Sequence, residues 1–97
     1  MIEILWEFVA RKDKVGEFEH HYAAAGTWAQ FFGRSTAYRG TTLLRDSGNR
    51  YVTRDCWDNL ESFRDFRRQY ALEYDEIDRA CEDYTESERQ IGVFEVI

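Results

Sequence analysis

His20 and His21 are the only imidazoles in the 97-residue sequence. Histidine is the side chain whose ordinary pKa lets it take or return a proton near neutral pH, so the pair is a first place to look for acid–base chemistry. Both fall in a segment after Asp13 in which Val15, Phe18, Tyr22 and Ala25 recur at helical spacing. At roughly 100° per residue His21 lies about 60° from Phe18, at the edge of the buried stripe, and His20 lies nearly opposite. His21 is therefore the candidate general base, and its ordinary structural use is an edge histidine bonded to a neighbour or to water. A metal set of Glu17, His20 and His21 is awkward, because adjacent helical side chains diverge by about 100°.

A second group is aromatic. Trp28, Phe31, Phe32, Trp57, Tyr70 and Tyr74 come from three segments, and several carry a polar tip that needs a partner when buried. They can form a stacking box for a flat substrate, with indole N–H and phenol O–H groups meeting its oxygens, or simply the core of a small domain. Arg39, Arg54 and Asp55 form a third group, charged residues inside predicted strands. Either arginine can stabilise a developing enolate or phenolate. Cross-strand or interface pairing is the competing use of all three.

The elements that must position these residues read clearly. Ile2, Ile4, Trp6 and Phe8 alternate along an opening strand, and the first helix follows, ending near Gly26. Thr27 and Gln30 have capping-box spacing for a short helix stopped at Gly33. Tyr38 to Arg45 and Tyr51 to Trp57 form two strands around the turn residues Asp46 to Asn49. Asp58 and Glu61 are spaced to cap a helix in which Phe63, Phe66, Tyr70, Tyr74, Ile77, Cys81 and Tyr84 lie three or four apart. Such a helix would run about 37 Å against about 27 Å for an eight-residue strand, so a break is expected near Ala71 or Leu72. Arg89 to Ile97 reads as a final strand.

The order βαββαβ predicts an α+β, ferredoxin-like domain over residues 1–97, an antiparallel four-stranded sheet with its helices on one face. The other face carries Leu5 and Val9, which predicts cover by a second copy in a homodimer. A net charge of −6 argues against nucleic acid as a partner. The sequence has no long apolar run to suggest a membrane segment, and the two cysteines, Cys56 and Cys81, suit free thiols in the cytoplasm. With no Pro, six Gly and 16% aromatic residues, regular structure and an aromatic interior are expected.

Several stretches carry a resemblance beyond these patterns. Leu5-Trp6-Glu7-Phe8, Trp28-Ala29-Gln30-Phe31-Phe32, Tyr38-Arg39-Gly40-Thr41, Arg50-Tyr51-Val52-Thr53, Asp55-Cys56-Trp57, the Phe63 and Phe66 helix, and Ile91-Gly92-Val93-Phe94 together cover nearly the whole chain. In these the sequence resembles the antibiotic biosynthesis monooxygenase family of dimeric α+β barrels. The resemblance implies two packed sheets, with a ligand pocket in each subunit between helices and sheet. Its haem-degrading branch has a Trp nine residues after the strand-end Trp and a His ten further on, where this chain has Phe66 and Glu76, so haem degradation is set aside.

The resemblance and the aromatic set imply a cofactor-independent monooxygenase acting on a small quinol- or anthrone-like aromatic, with no cofactor and no metal. In that reading His21, Arg39 and Arg54 are the catalytic candidates, and Trp28, Phe32, Trp57, Tyr70 and Tyr74 bind substrate. The alternative is a non-catalytic small-molecule-binding or stress-associated dimer on the same scaffold.

Overall fold

The computed structural model describes all residues from 1 to 97. Strand β1 (Ile2–Ala10) is followed by helices α1 (Val15–Tyr22) and α2 (Thr27–Phe32), the hairpin β2 (Tyr38–Arg45) and β3 (Arg50–Trp57), helices α3 (Leu60–Gln69) and α4 (Ala71–Cys81), and β4 (Thr85–Glu95). The strands form one antiparallel sheet in the order β2-β3-β1-β4. This is the expected ferredoxin-like α+β arrangement.

Alternation along the central strands decides what is buried. Ile2, Ile4, Phe8 and Ala10 of β1 and Tyr51 and Trp57 of β3 join Phe18, Tyr22, Trp28, Phe31, Phe32, Phe66 and Cys81 from the helices in one core. The opposite sheet face has no helix over it. There Glu7 bridges Arg50 and Arg89 at 2.7 and 3.3 Å, and Leu44 and Phe94, paired with the outward-facing Val52 and Glu3, are exposed.

The long helical pattern breaks at Tyr70, whose φ and ψ of −111° and 31° separate α3 from α4, one residue before the expected place. The caps differ from expectation. Asn59, not Asp58, receives the Ser62 amide at 2.8 Å, because Asp58 is engaged by Arg39. Thr27 lies inside α2, whose N-cap is Gly26. A Cβ at Gly26 would meet the carbonyl oxygens of His20 and His21 at 2.5 and 2.8 Å, so the turn from α1 to α2 requires glycine. Strand β4 also starts earlier than predicted, because ladder bonding to β1 carries it through the polar Thr85 to Glu88, which have little strand preference of their own.

Candidate functional site

Between the helices and the inner sheet face lies a cavity of about 210 Å³. It is smaller than the roughly 300–1,000 Å³ of drug-sized sites, a size suited to a small ligand. Trp6 and Phe8 of β1, Tyr22 of α1, and Trp28 and Phe32 of α2 supply its apolar walls, and Tyr74 of α4 adds a phenol. Thr41, Thr53 and Asp55 reach it from the hairpin strands. Arg67, Asp78, Glu88 and Gln90 complete its lining.

Asp55 is the chemically distinctive member. On β3 it has the same parity as the buried Tyr51, Thr53 and Trp57, so its carboxyl group faces inward. Burial raises its pKa to about 6, against the opposing pull of a hydrogen bond donated by Thr41 Oγ1 at 2.6 Å. A carboxylate that gives up its proton near pH 6 is a stronger base than an exposed aspartate and remains ionised at neutral pH.

The other charges divide by role. The Arg67 guanidinium sits 4.6 Å above the Tyr74 ring and is the cation of the cavity wall. Glu88 is pushed upward in pKa by burial and by the nearby Asp78 and Glu82. Tyr74 is also raised, chiefly by burial, so its phenol is neutral in the working range. The indole N–H of Trp28 is buried without a hydrogen-bond acceptor in the protein, as is that of Trp57.

Three of the expected substrate-binding residues, Trp28, Phe32 and Tyr74, meet at the cavity. Trp57 and Tyr70 do not reach it. Trp57 is fully buried among Phe32, Tyr38, Phe63 and Phe66. Tyr70 packs on Phe66 at 4.7 Å with Arg34 over its ring.

The expected catalytic trio lies elsewhere. His21 Nδ1 is 2.7 Å from Thr27 Oγ1, and its ring stacks on Tyr84 at 5.2 Å, away from the cavity lining. Burial and the neighbouring His20 lower its pKa. Arg39 sits at a β-bulge and forks onto Asp58 at 2.6 and 3.0 Å. Arg54 has the opposite parity from Asp55 and lies on the outer face, 3.8 Å from Glu3. Asp55, Thr41 and Arg67 were not among the expected catalytic groups. The alternation Tyr51-Thr53-Asp55-Trp57 was the available signal for Asp55, since it sets an acid in a row of otherwise buried residues.

No group of three or more His, Cys, Asp or Glu side chains is arranged to hold a metal ion, and no helix is long and apolar enough to cross a membrane. In sequence, no protein-family model and no curated protein matches the chain. In structure it resembles SnoaB, a cofactor-independent oxygenase from Streptomyces nogalater. A variant of that protein is 26% identical with a TM-score of 0.75, over 98% of this chain and 91% of the other. A second SnoaB structure gives 25% and 0.74, over 99% and 92%. A Nitrosomonas europaea protein proposed to be an antibiotic biosynthesis monooxygenase superimposes with a TM-score of 0.72 at 12% identity, over 100% and 99% of the two chains. Over nearly its whole length the chain therefore shares the fold of these oxygenase structures, and the likeness supports the resemblance to the antibiotic biosynthesis monooxygenase family.

Proposed function

We propose that the protein is a cofactor-independent monooxygenase for a small, electron-rich aromatic such as a quinol or anthrone, with Asp55 as its general base. The observation that carries this reading is a basic carboxylate, with a pKa of about 6, on the wall of an aromatic cavity. The likeness to SnoaB supports the oxygenase class.

Asp55 takes a proton from the activated C–H or O–H of the substrate, leaving a delocalised anion. That anion passes an electron to O₂, and the radical pair combines to form a C–O bond. The proton held by Asp55 returns to the peroxide, and loss of water cleaves the O–O bond. For an anthrone the balance is CH₂ plus O₂ giving C=O plus H₂O, so the substrate is both carbon and electron donor. Arg67 offsets the developing negative charge. Flat rings pack against Trp6, Phe8 and Phe32.

Oxygen consumption with a panel of quinols and anthrones in chelator-treated buffer tests the reading. Saturable uptake above the spontaneous rate is expected, and uptake equal to that rate across the panel rejects it.

We further propose that a second copy covers the open sheet face, because Leu44 and Phe94, paired with the outward-facing Val52 and Glu3, expose apolar surface there. Light scattering at micromolar concentration should give twice the chain mass, and a monomer mass overturns this assignment. The free thiols Cys56 and Cys81 suit a reducing compartment, and we assign the protein to the cytoplasm.

A further inference from the structure

Asp55 does not stand alone on the cavity wall. Thr41 Oγ1 donates its single O–H to Asp55 Oδ1 at 2.6 Å, and the Tyr38 hydroxyl lies 2.5 Å from the same Thr41 oxygen. With Thr41's proton committed to the carboxylate, the Tyr38 O–H must be the donor to Thr41. The chain of donors therefore runs Tyr38 to Thr41 to Asp55. It begins at a half-buried residue on β2, the edge strand of the sheet, and ends inside the cavity.

A local distortion of the strand builds this line. Residues three apart on a regular strand point to opposite faces. Here the ladder shifts register between Tyr38, opposite Trp57, and Gly40, opposite Cys56. Arg39 is the extra residue, and Gly40 takes the turn with φ of +120°, a conformation that favours glycine. The bulge reverses the parity of Tyr38, so that it joins Thr41 on the inner face.

We propose that Tyr38 and Thr41 form a proton wire between Asp55 and solvent, through which the site exchanges an acidic hydrogen of its aromatic substrate with water when oxygen is absent. The inference rests on Asp55 being the base. Asp55 takes the proton from a substrate C–H and leaves its electron pair on the substrate as an enolate. A half-turn of the carboxyl group and of the two hydroxyls points the new O–H at Thr41, the Thr41 O–H at Tyr38 and the Tyr38 O–H at water; Thr41 then takes the proton from Asp55 as it passes its own to Tyr38, and Tyr38 passes its proton to water. The reverse sequence returns a solvent proton to carbon. No bond is oxidised or reduced, and the net change is hydrogen for deuterium in heavy water.

Anaerobic incubation of an anthrone with the protein in D₂O, followed by loss of the methylene NMR signal over the spontaneous rate, tests the wire. The unaltered protein is expected to exchange. Thr41→Val and Tyr38→Phe should slow exchange about 10–100-fold, the range of a lost proton-transfer partner, while anthrone still quenches tryptophan fluorescence saturably. Thr41→Ser, which keeps the hydroxyl, should restore exchange. Equal exchange in Thr41→Val and Tyr38→Phe overturns the wire, and so does absence of exchange by the unaltered protein. Oxygen uptake without exchange would defeat the wire and leave the oxygenase reading standing; exchange without uptake would do the reverse.

Discussion

Replacement of Asp55 by asparagine is expected to lower kcat/KM for oxygen uptake by about 10²–10⁴-fold, the range associated with loss of a positioned general base. The same change is expected to stabilise the fold at pH 8. Burial raises the Asp55 pKa from 3.8 to about 6, so the folded chain binds more protons than the unfolded chain between those values. Stability contributed at this site therefore falls as pH rises from about 4 to 6. Above that window the ionised carboxyl costs on the order of 3 kcal/mol, at about 1.36 kcal/mol per unit of pKa. Asparagine removes that cost. The variant should melt higher than the unaltered protein at pH 8, and the difference should vanish below about pH 4, where the carboxyl is neutral in both states. Thermal melts across pH check the stability arm, and a variant that loses activity and stability together at pH 8 would assign Asp55 a structural role instead.

The largest expected loss of stability is at Trp57. Its side chain is fully buried at the end of β3, with the rings of Phe32, Tyr38, Phe63 and Phe66 centred 5.4–5.6 Å from its own. Truncation to alanine removes those contacts and leaves a hole that surrounding rings cannot all close. Trp57→Ala should cost about 3–5 kcal/mol, a large share of the roughly 5–15 kcal/mol that holds a domain together. Urea denaturation at fixed protein concentration measures this, and a loss under about 1 kcal/mol would contradict the packing. Because Phe32 touches Trp57 and also lines the cavity, the variant should bind aromatic ligands more weakly as well.

Legibility in the sequence followed the range of the interactions. The strand order and the interruption at Tyr70 were readable because alternation, helical spacing and the mismatch between helix and strand length act along the chain. Trp28, Phe32 and Tyr74 were readable as a group for the same reason, since large aromatics on inward stripes must meet. The base was not. The inward parity of Asp55 is visible in residues 51–57, but its raised pKa arises from the cavity and from Thr41 on another strand. His21 offered the better intrinsic pKa and a poorer location, stacked on Tyr84 and tied to Thr27. The bulge at Arg39 reversed the side-chain alternation that a simple reading of β2 assumes, giving Arg39 to Asp58 and turning Tyr38 inward. Asp58 and Asn59 show the same limit at smaller scale, because either can cap a helix and only the reach of Arg39 decides between them.

The pH dependence of kcat/KM for oxygen uptake, corrected for spontaneous oxidation, bears most directly on Asp55 as the base, because that ratio reports ionisations of the free enzyme. A carboxylate base must be deprotonated to act, so the rate should climb about tenfold per pH unit at low pH and level off above about pH 6. The limb should persist in His21→Ala and disappear with the activity in Asp55→Asn. A limb that vanishes in His21→Ala and survives in Asp55→Asn would contradict the account.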